Sequence, residues 1–393
     1  MLYRPEAFEP LTESPWDDQG VRAAIRGIVV DVDHAFDPDA LWPADEWDGW
    51  QSAVPMKNLY VGAAGVVWAL DALRRRGHAE TQIDLAAAAK RTLTFFREAP
   101  DLMAGIELPA RPKSALLTGE TGILLVAWRL DPSSELEREL LAHVQENVDN
   151  NADELMWGTP GTLLAARAMQ ESTGGDMWRE VCAESAEALW RKRDSDGLWT
   201  QQLYGETSRG LGPVHGVGGN VLALRDALDS GRRELLERET AGVLAREAVV
   251  EDGLANWPMT AGGDLATEDG EIRLQWCAGA PGIVTSAASY LNEELLIAGA
   301  ELTWRAGPPT MEKGPGICHG TAGSGYAFLK VFARTGDERW LDRARRFAMH
   351  ALEQVERRAP GRYSLWTGDP GVALYAADCL DARTAYPVLE TWG

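Results

Sequence analysis

Cys277 lies in the stretch QWCAGAPG, and the adjacent Cys318 and His319 lie in GICHGTAG. Two thiolates and one imidazole make a donor set that suits Zn2+. Three protein ligands leave the fourth tetrahedral position open, as catalytic rather than structural zinc sites do. The chemistry such a set offers is Lewis-acid activation of a bound group. Spacing alone is a weak signal, because a lone cysteine with a Cys-His pair about forty residues on lacks the C-x-x-C rhythm of a zinc finger. The register of the three residues within a repeat is the stronger one.

Seven segments share a Gly-x-x-Gly step followed by an apolar helical run. They read LYVGAAGVVWAL from Leu59, LLTGETGILLVAW from Leu116, LMWGTPGTLLAA from Leu155, VHGVGGNVLAL from Val214, WCAGAPGIVTSA from Trp276, CHGTAGSGYAFL from Cys318 and LWTGDPGVALYAA from Leu365. The first glycines are Gly62, Gly119, Gly158, Gly216, Gly279, Gly320 and Gly368. Their spacing, roughly 40 to 60 residues, is that of a helical hairpin with its loops. Cys277, Cys318 and His319 sit at or just before the steps of repeats five and six, so neighbouring repeats bring them together.

Between the steps lie amphipathic stretches such as SELERELLAHVQENV from Ser134 and DERWLDRARRFAMHALEQVERR from Asp337. Their apolar residues recur at three and four, the pattern of a helix with one wet face. The runs after the steps are apolar nearly all round, as in helices packed on several sides. Outer amphipathic helices alternating with buried inner ones predict an all-α fold, an α/α toroid or double-layered barrel of seven hairpins. It fills residues 1–393 as a single catalytic domain after an irregular N-terminal segment over about 1–18. The paired glycines are expected to permit a tight, positive-φ turn into each inner helix and close approach of neighbouring helices. Turn-rich stretches at Asp194–Gly212, Asp252–Leu274 and Ala359–Leu365, with DGLWTQQ, DGLANWP and GRYSLW reading as locally extended, each precede a step. They are expected at one face of the ring, the face that holds the site.

Composition narrows the function. A hydrophobic fraction of 45% with 16 Trp supports a sizeable core, and a net charge of -22 with few lysines argues against nucleic acid as partner. The acidic N-terminus carries no signal-peptide core, and no stretch approaches the roughly 18 to 20 apolar residues of a spanning helix. The chain therefore reads as cytoplasmic, without a membrane span. Its four cysteines are too few for a disulfide scaffold and read as ligands or core fillers.

The motifs WCxGxPG and CHGxAG, with an earlier HG step, resemble the lanthionine synthetase C family, the lanthipeptide cyclases and their LanC-like relatives. The resemblance spans all seven steps. It implies that Cys277, Cys318 and His319 hold zinc, and that a cysteine thiol bound there attacks a dehydroalanine or dehydrobutyrine to form a thioether. A free thiol is only a few per cent ionised at neutral pH, whereas zinc deprotonates it. Addition leaves an enolate whose α-carbon needs a proton, hence a general acid. His215, at the step of repeat four, matches the family's acid/base histidine. Glu154 matches an acidic position before the third step, with Asp153 the alternative and a helix-capping carboxylate the plain reading of either. Arg273 matches a basic position suited to the enolate oxygen.

Trp157, Trp276, Trp366 and Tyr60, beside their steps, read either as cavity walls for a peptide or as core. His34, His78, His143 and His350 are expected to be exposed, and Cys182 and Cys379 to be structural; none is given a function. The resemblance implies two partner sets: a dehydrated precursor peptide closed into (methyl)lanthionine rings, with a dehydratase as a further partner, or glutathione and a protein bearing dehydroamino acids. No kinase signature precedes the ring, so the chain reads as a stand-alone enzyme. Protein prenyltransferase β-subunits share the toroid but use an Asp-Cys-His set, and toroid glycosidases need two carboxylates and no metal-binding Cys-His. A zinc-stabilised peptide-binding scaffold is the non-enzymatic alternative.

Overall fold

A computed structural model describes residues 1–49, 55–102, 105–358 and 361–392. Among these residues lie fourteen α-helices that alternate between two layers. The outer helices are α1 (Asp18–Ala35), α3 (Leu85–Glu98), α5 (Ser134–Asn147), α7 (Asp176–Arg191), α9 (Ser230–Glu247), α11 (Glu293–Ala306) and α13 (Glu338–Arg357). The inner helices are α2 (Ala63–Arg75), α4 (Glu120–Leu130), α6 (Thr159–Thr173), α8 (Val217–Leu224), α10 (Ala280–Ala287), α12 (Thr321–Thr335) and α14 (Asp369–Asp381). Each inner helix packs on the next, and α14 packs on α2, so the inner layer closes. The first outer helix, α1, packs against α14 and completes the outer layer. The fold is the expected α/α toroid of seven hairpins.

The layers differ in how their helices begin. Six of the seven outer helices have a side-chain cap, from Asp17, Asp84, Ser133, Asp229, Asn292 and Asp337, which satisfies amide donors that a helix start leaves free. All seven inner helices begin at the first glycine of a step with no side-chain cap. Space is the reason. A Cβ on Gly65 would lie 2.4 Å from the Leu59 carbonyl and 2.8 Å from Leu365 Cβ of the seventh repeat. The second glycines therefore let the backbone turn in on itself and let adjacent inner helices touch. The expectation of positive φ holds only at Gly279, with φ 98. The other six first glycines are extended, and steric room rather than left-handed geometry requires them.

The irregular segment before α1 lies across the outside of the ring. Glu9 accepts from His350 Nε2 at 2.7 Å and Gln354 Nε2 at 2.9 Å, and Thr12 N donates to His350 Nδ1 at 3.1 Å. His350 is therefore buried, and so is His78, whose Nε2 meets Asp381 at 2.8 Å. This corrects the expected exposure of both. His34 is exposed and His143 half-buried.

Two small hairpins depart from the purely helical expectation: β1 (Gln201–Leu203) with β2 (Glu206–Ser208), and β3 (Val249–Glu251) with β4 (Leu254–Asn256). Extended structure thus appears in DGLWTQQ and DGLANWP. GRYSLW forms no strand, and Ala359 and Pro360, at the start of the longer turn-rich stretch, lie outside the described residues. The loops that carry the hairpins meet at one face, where Leu211 N donates to Met259 O at 3.0 Å and Ala261 N to Arg209 O at 2.9 Å.

Candidate active site at the ring mouth

Backbone hydrogen bonds stitch the steps of adjacent repeats together at this face. Cys277 N donates to Cys318 O at 3.3 Å, Cys318 N to Trp366 O at 2.8 Å, Trp366 N to Tyr60 O at 3.2 Å and Tyr60 N to Leu117 O at 2.9 Å. The belt fixes Cys277 against the Cys318-His319 pair. The two sulfurs and an imidazole nitrogen all lie within 4.8 Å of one another. Cys318 Sγ is 3.6 Å from His319 Nε2, and a tetrahedral edge between bonds of ~2.3 and ~2.1 Å is about 3.6 Å. The donor set fits zinc in chemistry and in spacing.

Two neighbours hold the sulfurs from outside. Tyr60 Oη donates to Cys318 Sγ at 3.1 Å and Gln275 Nε2 to Cys277 Sγ at 2.9 Å. Burial, with the nearby sulfurs, pushes the Tyr60 hydroxyl well above its ordinary range, so it stays a donor. A hydrogen bond from Cys318 and the charge of His319 hold Cys277 well below the usual thiol range against its burial. Burial and the Cys277 sulfur push Cys318 up. The other thiols are different: burial lifts Cys182 to about 12 and raises Cys379 further, as inert core residues.

On the other side of the mouth, Glu154 is fully buried and accepts from Met156 N at 2.9 Å, Trp157 N at 2.6 Å and His215 Nδ1 at 2.8 Å. It holds the turn that precedes α6 and the imidazole at once; it does not cap the helix, which begins at Gly158 without a side-chain cap. Asp153 turns away: its carboxylate faces Lys192 at 3.3 Å, and burial lifts it to about 6 despite that cation. Burial favours neutral His215, but the hydrogen bond and charge of Glu154 outweigh it and raise the imidazole above its ordinary range. The His215 side chain remains 39% exposed, open to the mouth.

A cavity of about 460 Å³ opens beside His319, lined by Trp47, Arg273, Lys313 and Arg362 together with Asp45 and Glu312. Glu271 pairs with Arg273 at 2.9 Å and Lys313 at 3.1 Å. Asp48 grips Arg362 through both oxygens and also accepts from Thr367 Oγ1 at 2.8 Å. Trp47, 51% exposed, sets its ring edge-to-face with His319 at 5.4 Å. Arg273 thus stands on the His319 side; among the described residues no hydrogen bond joins it to His215 or Glu154. Trp157, Trp276 and Trp366 are fully buried and Tyr60 nearly so, which makes them core rather than cavity walls.

The model of the lanthionine synthetase C-like protein family matches residues 53–390. The chain belongs to the lanthionine synthetase C-like family. It is 26% identical over 312 residues to the protein described as glutathione S-transferase LANCL1 of Danio rerio, covering 70% of this chain and 73% of that one. It is 31% identical over 113 residues to LanC-like protein GCL1 of Arabidopsis thaliana, a quarter of each chain. Among solved structures, nisin cyclase superposes with a TM-score of 0.62 at 14% identity, covering 92% of this chain and 94% of that one, a likeness of fold. Among the described residues no helix is long and apolar enough to cross a membrane.

The sequence does not single out Gln275, Tyr204, Trp47 and Asp48 at the mouth, nor the charged residues Asp45, Glu271, Glu312, Lys313 and Arg362 at the cavity. Gln275 alone had a local signal, standing two residues before Cys277; the others arrive from loops whose position the repeat register does not predict.

Proposed function

We propose that the protein is an enzyme that adds a thiol to the β-carbon of a dehydroalanine or dehydrobutyrine residue, and that its thiol donor is glutathione. The single observation that carries this reading is the juxtaposition of the Cys277, Cys318, His319 set with a cavity of about 460 Å³ bearing both signs of charge. Glutathione is a small thiol with two carboxylates and one ammonium. Arg273, Lys313 and Arg362 suit the carboxylates, and Asp45 and Glu312 suit the ammonium. The name glutathione S-transferase borne by the Danio rerio relative supports the same donor.

Zinc held by Cys277, Cys318 and His319 would supply the Lewis acidity that brings a thiol to its thiolate at neutral pH. Tyr60 and Gln275 hold the two ligand sulfurs in place. The sulfur attacks the β-carbon, and His215, kept protonated by Glu154, delivers a proton to the α-carbon. The four cysteines are all free, in keeping with a reducing cytoplasmic setting.

Ring closure within one peptide, the lanthipeptide cyclase reaction, uses the same step with the acceptor's own cysteine. Half-exposed Trp47 at the cavity edge favours it as a second reading, because an aromatic face there suits a longer chain. In that case a dehydratase partner supplies the substrate. The two readings separate in one assay: zinc-loaded protein is incubated with a dehydroalanine peptide, once with glutathione and once with an internal cysteine instead. An adduct mass equal to peptide plus glutathione is expected; thiol loss only with the internal cysteine selects cyclisation, and reaction in neither mixture rejects both.

A further inference from the structure

Tyr204 and Gly205 form the two-residue turn between β1 and β2, with φ of 55 and 81. The first position of such a turn favours Asn, Asp or Gly. A bulky aromatic held at positive φ goes against local preference, and such conflicts concentrate where a side chain has work in a site. The Tyr204 ring meets the His215 ring edge-to-face, with centroids 6.2 Å apart. Its hydroxyl oxygen accepts from Trp157 Nε1 at 2.9 Å. Its own proton has no acceptor among the described residues, so one donor beside the proposed acid is unspent.

We propose that Tyr204 is a catalytic residue whose O–H binds the acceptor's carbonyl oxygen as the enolate forms. This rests on the thiol-addition reading of the site. In that reaction the S–Cβ bond forms, and the Cα=Cβ pair moves toward the carbonyl oxygen. The imidazolium of His215 gives its proton to Cα, and the proton released earlier by the thiol returns to the imidazole through solvent. Tyr204 keeps its proton throughout and donates only a hydrogen bond.

Three features favour this role. The carbonyl carbon is bonded to the carbon that His215 protonates and its oxygen lies two bonds from that carbon, so its donor belongs on the His215 side of the mouth. Arg273, the cation expected for that oxygen, instead stands at the His319 cavity, paired with Glu271. The indole N–H that Tyr204 accepts polarises its O–H into a stronger donor, while burial, with the charge of Glu154, lifts the hydroxyl to about 12 and keeps it protonated. Glu154 positions both groups, holding His215 through Nδ1 and Trp157 through its backbone amide.

The test is Tyr204→Phe, assayed with glutathione and a dehydroalanine peptide. We expect kcat to fall roughly 10- to 100-fold, somewhat less than for an oxyanion donor acting alone. The KM for glutathione, the bound zinc and the basic limb of the pH profile should stay unchanged. An unaltered kcat overturns the proposal, and so does a loss accompanied by a shifted basic limb or lost zinc, which marks Tyr204 as packing for His215. Should the variant fail to fold, Trp157→Phe removes the polarising N–H and is expected to lower kcat by a smaller factor; no change there also counts against the role. Wild-type protein that forms no adduct rejects the thiol-addition reading itself, a result separate from either variant's.

Discussion

The two sides of the ring mouth are both built just before the steps of the repeats, yet they present different groups. At repeats five and six the residues at the step are sulfur and imidazole, held by Tyr60 and Gln275 as a compact donor set. At repeats three and four they are a buried carboxylate and a half-exposed imidazole joined by a hydrogen bond. One side suits a cation and a soft nucleophile; the other suits proton delivery. The scaffold between them is the belt of step residues, so a repeat can present any side chain at the mouth without changing how the ring closes.

Variants that strike one side should separate the two functions. The largest effect is expected from Cys318→Ala, which removes a zinc ligand and should lower metal content to near zero and thioether formation to background, as read by elemental analysis and adduct mass. His215→Asn should leave zinc bound while kcat falls about 10²- to 10⁴-fold, the range for a lost general acid; loss of zinc in that variant would join the sides that the geometry separates. Glu154→Gln should cost about 10- to 100-fold through disorientation of His215. It should also move the basic limb of the pH profile. A protonated acid is present below its pKa and lost as pH rises through it. Glu154 raises that pKa, so the limb lies above the ordinary imidazole value of about 6.5 and should move to lower pH when the carboxylate is neutralised. The smallest effect belongs to Tyr60→Phe, which should weaken zinc by about tenfold in a chelator competition, the low end for a hydrogen bond behind a metal ligand.

Much of this comparison was legible in residue order. The seven steps set the toroid and put Cys277 beside Cys318 and His319, because register in a repeat is a statement about space. What stayed hidden depends on contacts with no local signature. Tyr60 reaches Cys318 across 258 residues of sequence, and Tyr204 reaches His215 only because a hairpin within a turn-rich stretch folds back over the mouth. Conformational freedom is the expected reason for the glycines, but six of the seven first glycines are extended, and crowding by the backbone a few residues earlier in the same repeat decides them. The amphipathic pattern of its helix predicts an exposed His350, while the N-terminal segment that covers it carries no periodicity of its own. Arg273 is expected at the enolate oxygen from its match to a basic family position, whereas the carboxylate of Glu271, which Lys313 shares, holds it on the His319 side.

The proposed function stands on thiol activation by the Cys277, Cys318, His319 set. The most direct measurement is the rate of glutathione addition to a dehydroalanine peptide by protein stripped with a chelator, before and after one equivalent of zinc. The rate should fall to background on stripping and return with that equivalent in wild-type protein but not in Cys318→Ala. Stripped protein that reacts as fast as zinc-loaded protein would contradict the claim.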